Sequence, residues 1–125
     1  MQIRVYYDDT DAGGIVYHAN YLKFCERARS ELFFEHGKTL SIDGAHFVVR
    51  HIDADFLKSA KLGDMVEVKH EILEIKNTSL RLLQNVWLDD IKIFEMKSLM
   101  VFAKNGKPCK MSLEVKEFLN TMFNA

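Results

Sequence analysis

The sequence predicts an α+β domain in which one long helix covers one antiparallel sheet of about five strands. Two observations carry this. Residues 18–36 hold a long helical pattern, and the residues after it form four strand-like runs, 46–56, 65–75, 79–88 and 92–103. Short links join those runs in succession, which favours an antiparallel meander over βαβ crossovers.

Each element has its own signal. At 2–8, Ile3, Val5 and Tyr7 alternate against Gln2, Arg4 and Tyr6, as in a half-buried strand. The run DDTDAGG at 8–14 ends that pattern and forms a loop. In the helix, Tyr21, Cys25, Ala28 and Leu32 recur at spacings of four, three and four, with Lys23, Arg27, Glu31 and Glu35 on a wetter side. Gly37 is placed to end it in a left-handed conformation. Gly63-Asp64, Lys76-Asn77-Thr78 and Asp89-Asp90 supply turns, and Gly106-Lys107-Pro108 breaks the last strand. Ser112 caps a short C-terminal helix with Glu114 in its first turn and Leu113, Phe118, Leu119 and Met122 on its apolar side. One helix leaves the second sheet face partly bare. Met96, Met100 and Phe102 are expected there, against a second protomer.

The 125 residues fit one domain, 1–125, and 48% apolar content supports one core. A core this small gains from burial against a copy, so an oligomer is expected. With 17 Lys plus Arg against 18 Asp plus Glu, the chain is not a nucleic-acid binder of the basic-patch kind. Cys25 and Cys109 lie far apart with no CxxC or Cys/His metal spacing, which reads as two reduced thiols. The chain opens on a strand rather than a leader, and no apolar run approaches the ~18–20 residues that span a membrane. A soluble, cytoplasmic protein with no transmembrane segment is expected.

The chemistry concentrates in residues 6–26. Asp8, Asp9 and Asp11 crowd four positions, Gly13-Gly14 follows, and the helix begins near His18. Ordinary turn chemistry accounts for part of this, since acidic residues suit the positive end of a helix. A calcium loop does not. Counted from Asp9, Gly14 falls at the required sixth position, but the twelfth is Asn20 where a bidentate Glu is needed. A catalytic reading uses more of the pattern. The first N–H groups of a helix have no internal partner and can bind a carbonyl oxygen that gains charge. Glycines let backbone approach a ligand closely. Asp11 then faces the same carbonyl carbon, as nucleophile or as a base for water. No GxSxG motif is present.

Residues 7–29, YDDTDAGGIVYHANYLKFCERAR, strongly resemble the signature of the hotdog-fold thioesterases of the 4-hydroxybenzoyl-CoA thioesterase family, and its YbgC-like branch most of all. Lys61-Leu62-Gly63-Asp64, Ser79-Leu80 and Gly106-Lys107-Pro108 resemble later short motifs of such proteins. The resemblance implies a hotdog fold, a dimer with the site at its interface, and hydrolysis of acyl-CoA with no cofactor beyond the substrate's own coenzyme A. It places the catalytic carboxylate on Asp11, the oxyanion N–H on His18, and Tyr7 beside them. It extends to a homotetramer, an association with the Tol-Pal system, and acyl carrier protein or phospholipid-synthesis partners. One departure is Ser59-Ala60, where relatives usually carry Pro-Ala.

Around these residues, Asp8 and Asp9 read as turn organisers, Asn20 and Tyr21 as capping or packing residues, and Glu26 as an ion-pair partner for a nearby Arg. Lys58, Lys61 and Arg81 are the candidate cations for the coenzyme A phosphates. His36, His46, His51 and His70 show no ligand spacing. The alternative to hydrolysis is a binding module that holds acyl-CoA or an acyl carrier protein without turning it over. A dehydratase acting on a hydroxyacyl thioester needs a different His/Asp constellation.

Overall fold

The computed structural model describes residues 1–124. The elements run β1 (Gln2–Arg4), a 3-10 turn (Tyr7–Asp9), α1 (His18–Glu35), β2 (Ser41–Ile42), β3 (Ala45–Phe56), β4 (Met65–Ile75), β5 (Ser79–Leu88), β6 (Ile91–Lys104), β7 (Lys107–Pro108) and α2 (Leu113–Phe123). All strands join one antiparallel sheet in the order β1-β4-β5-β6-β3-β2, with β7 also paired to β6. This is the expected α+β hotdog architecture: five principal strands around a long helix, and a short C-terminal helix.

The meander holds only for β4, β5 and β6. β3 pairs with β6, not with its sequence neighbour β4. Residues 57–64 therefore cross from one side of the sheet to the other. That crossing passes the N-terminal loop and builds the site described below.

Helix α1 buries Tyr21, Phe24, Cys25, Ala28 and Phe33 against the sheet. It ends as its sequence dictates. Gly37 adopts φ 71°, Gly37 N–H donates to Phe34 O at 3.0 Å, and Lys38 N–H donates to Phe33 O at 2.9 Å. These two bonds make a Schellman cap. Tyr21, Phe24 and Cys25 meet Val66, Val68, Val86, Phe94 and Met96 in one apolar cluster; Phe33 meets Leu80, Met100, Phe102 and the α2 residues Leu119 and Met122 in a second. Burying one such Leu, Met or Phe contributes about 1.5–3 kcal/mol.

The structure corrects several expectations. Met96, Met100 and Phe102 are buried in those clusters, so they face α1 rather than a second protomer. The first strand stops at Arg4, and Tyr7 stands 83% exposed in the 3-10 turn. In α2, Ser112 Oγ accepts from Val115 N–H at 3.2 Å as expected, but Leu113 is 71% exposed, and Val115 and Phe123 complete the buried face. Gly106-Lys107-Pro108 does not simply end β6. Asn105 and Gly106 both take positive φ, and the chain folds back as β7. That pair forms a type I′ hairpin turn, as do Asp43 and Gly44 between β2 and β3.

Candidate active site

The loop between β1 and α1 is stitched to its surroundings by backbone bonds. Val5 N–H donates to Asp64 O and Gly63 N–H to Val5 O. Asp9 organises the turn: its Oδ2 accepts from Tyr6 N–H at 2.9 Å, and its carbonyl oxygen accepts from Tyr17 N–H and Asn20 Nδ2. The carbonyl thereby ties the loop to the first turn of α1. Among the described residues, Asp8 makes no such bond.

Asp11 is held from three directions. Its N–H donates to Ile15 O, its carbonyl oxygen accepts from Gly14 N–H, and its Oδ1 accepts from Gly13 N–H at 2.8 Å. Among the described residues, nothing donates to Oδ2. The two glycines have separate reasons. Gly14 sits at φ 81°, a left-handed position, while a Cβ on Gly13 would lie 3.2 Å from Asp11 Oδ1.

Residues 57–61 close the other wall. Val16 N–H donates to Ala60 O, Ile15 bridges Lys61, and Ala60 N–H donates to the Tyr21 hydroxyl at 2.9 Å. Tyr21 is buried and stacks on Phe94 with ring centroids 5.3 Å apart. Burial raises its pKa, the bond from Ala60 opposes that rise, and the charge of Asp64 adds to it. Sequence reasoning assigned Tyr21 to capping or packing and missed this anchoring bond, which spans 39 positions. Phe56, at the end of β3, meets the His18 ring edge-on at 6.0 Å and packs on Phe94.

The result is a cleft of about 240 Å³ that brings together Asp11, His18, Tyr21, Phe56 and Lys58. His18 is the first residue of α1, and no side chain caps that end. Its N–H has no intrahelical acceptor and donates to no other described residue. Tyr7 lines an adjoining cleft that shares Asp11. Lys61 reaches the region through its backbone, with its N–H on Asp64 Oδ2. Arg81 is not brought there. It points away from the buried Leu80 and Leu82, opposite Leu99, about 17 Å along β5 from the Val86–Phe94 pair beside the cleft.

Among the described residues of the single chain, Glu26 forms no ion pair. Arg29 instead donates to Gln84 Oε1 at 3.0 Å, and the Gln84 amide serves Cys25 O and His70 Nδ1. None of these residues lines the two clefts that contain Asp11. Among the described residues, no three His, Cys, Asp or Glu side chains converge as a metal cluster. No helix there is long and apolar enough to cross a membrane.

One cleft of this fold is lined by Asp11 and by His18, at the uncapped start of α1. The chain belongs to the thioesterase superfamily, whose family model matches residues 13–94. It is 44% identical over 108 residues to the acyl-CoA thioesterase YbgC of Helicobacter pylori, covering 86% of this chain and 81% of that protein. It is 44% identical over 87 residues to the acyl-CoA thioester hydrolase YbgC of Escherichia coli, covering 67% and 65% of the two chains. Among solved structures, a hypothetical protein from Aquifex aeolicus superposes with a TM-score of 0.88 at 29% identity, covering 95% and 97%. A Thermus thermophilus thioesterase complexed with coenzyme A and Zn superposes at 0.84 with 25% identity, covering 100% and 94%.

Proposed function

We propose that this chain hydrolyses acyl-CoA thioesters to a free acid and coenzyme A, with Asp11 as the catalytic carboxylate. The carrying observation is that Asp11 lines the same cleft as His18, whose N–H at the start of α1 donates to no described residue. Asp11 attacks the thioester carbon or takes a proton from the attacking water. The carbonyl oxygen gains charge as the new C–O bond forms, and the His18 N–H and helix end stabilise it. The C–S bond then breaks and sulfur leaves as a thiolate, which takes up a proton. Where Asp11 is the nucleophile, water then cleaves the mixed anhydride, which releases the free acid and restores the Asp11 carboxylate. A thiolate leaves readily because thiols are far stronger acids than alcohols, so the site needs no strong general acid.

Tyr7 borders the adjoining cleft, and Lys58, which lines the Asp11 cleft, serves with Lys61 as a cation for the coenzyme's phosphates in this reading. Arg81 serves such a phosphate only from another copy of the chain. A homodimer formed through the open edge of β3, assembling further to a tetramer, completes the reading; a cytoplasmic acyl-CoA or acyl carrier protein thioester is its substrate.

The test is thiol release by the wild-type protein from short, long and aromatic acyl-CoAs, with a matched oxygen ester as control. Release from at least one thioester and little from the oxygen ester supports the reading. Tight thioester binding without release would make the chain a binding module instead. Equal turnover of both esters would contradict the leaving-group argument.

A further inference from the structure

We propose that Asn20 is a positioning residue for the hydrolysis: by holding Asp9 O, its side-chain amide sets the spacing between the Asp11 carboxylate and the N–H at the start of α1. This rests on the thioesterase reading and adds the residue that aligns the two halves of the site.

Those halves ride on different pieces of chain. The carboxylate belongs to a tight hairpin-like loop. There Tyr17 N–H donates to Asp9 O at 3.0 Å, Asp11 N–H donates to Ile15 O at 2.9 Å, and Thr10 bridges Val16. The oxyanion N–H belongs to α1, which begins with His18 directly after that loop. Residues 57–61 hold the return arm of the loop, where Val16 N–H donates to Ala60 O and Ile15 bridges Lys61. The outgoing arm, which bears Asp11, lacks such support. Among the described residues, one hydrogen bond ties residues 9–11 to anything outside 6–17. It runs from Asn20 Nδ2 to Asp9 O, at 2.9 Å.

Tyr17 is the pivot between the two pieces. It is the last residue before α1, and its own side chain makes no capping bond. The bond from Tyr17 N–H to Asp9 O lies at the pivot, so it resists rotation of helix against loop poorly. Asn20 stands three residues further on, about 4.5 Å along the helix axis. Its bond to the same oxygen therefore opposes that rotation.

Asn20 is half-buried and lines neither cleft that holds Asp11, so its effect on the reaction runs through geometry. Alanine removes the amide, and aspartate keeps its shape without an N–H. In both variants Asp9 O keeps its bond from Tyr17 N–H, so the carbonyl is not left unpaired. Alanine is the better helix former, and an aspartate in the first turn suits the helix dipole. Activity should therefore fall without stability.

The experiment measures kcat, KM and urea unfolding for Asn20→Ala and Asn20→Asp, with the acyl-CoA that the wild type turns over fastest. A misplacement of about 1 Å can cost about 100-fold, and a smaller rotation should lower kcat about tenfold in both variants. KM should stay within about twofold of wild type, and the unfolding midpoint of Asn20→Ala should not fall. Wild-type kcat in either folded variant overturns the proposal. A rise in KM alone overturns it by placing Asn20 in substrate binding. A loss of kcat that follows a lower unfolding midpoint in both variants overturns it by making Asn20 a stability residue only. Failure of the thioesterase reading itself shows separately, as no thiol release by the wild type from any acyl-CoA.

Discussion

Asp11 Oδ1 accepts a hydrogen bond from Gly13 N–H at 2.8 Å, and a side chain on Gly13 would press against that same oxygen at 3.2 Å. The carboxylate is thus aimed by the backbone of its own loop. Gly13→Ala is expected to lower kcat/KM about tenfold while changing stability by less than about 1 kcal/mol. Gly14→Ala is expected to do the reverse, costing about 1–2 kcal/mol because its φ is left-handed. Steady-state kinetics and urea unfolding on the two variants separate these roles.

The Tyr21 hydroxyl holds Ala60 N–H, which is buried with it. Tyr21→Phe leaves that N–H without a partner, at a cost of about 1–3 kcal/mol. Residues 57–61 should loosen at the same time, so KM should rise with the stability loss. Unfolding and hydrogen exchange at Ala60 check both effects.

His70 is half-buried against Gln84 and Phe123, and its pKa is lowered to about 4 by burial first, then by the N-terminal amine and Arg29. The unfolded chain therefore binds this proton more readily than the folded one. The resulting stability is complete above pH 6.5 and is lost as pH falls towards 4, by about 3 kcal/mol at most. His70→Gln should flatten this part of the stability curve between pH 7 and 4.

Burial pushes the Cys25 thiol up to about 12, with Arg29 opposing, whereas Cys109 lies partly exposed. A thiol reagent at pH 8 should label one cysteine quickly in the folded protein and both in denaturant, because the thiolate is the reactive form.

Local patterns were legible where one segment decides its own structure. The spacing of Tyr21, Cys25, Ala28 and Leu32 marked α1, Gly37 marked its end, and Ser112 marked the start of α2. What failed needed information from elsewhere in the chain. The alternation of β6 has the same period whichever face is buried, so Met96, Met100 and Phe102 could be assigned to the wrong side. Nothing local to β3 says that it pairs with β6, and a bulge between Val49 and His51 shifts its register midway. Asp11 and His18 stood out through their motif. Tyr21 did not, because its partner Ala60 is brought to it only by the crossing of residues 57–64.

The most direct measurement is kcat for Asp11→Asn beside His18→Ala, both shown to be folded by their unfolding curves. Asp11→Asn should lose about 100-fold or more, the size expected for removing a catalytic base. His18→Ala should lose much less, since the N–H assigned to the oxyanion belongs to the backbone. Near-wild-type turnover by folded Asp11→Asn would contradict the account.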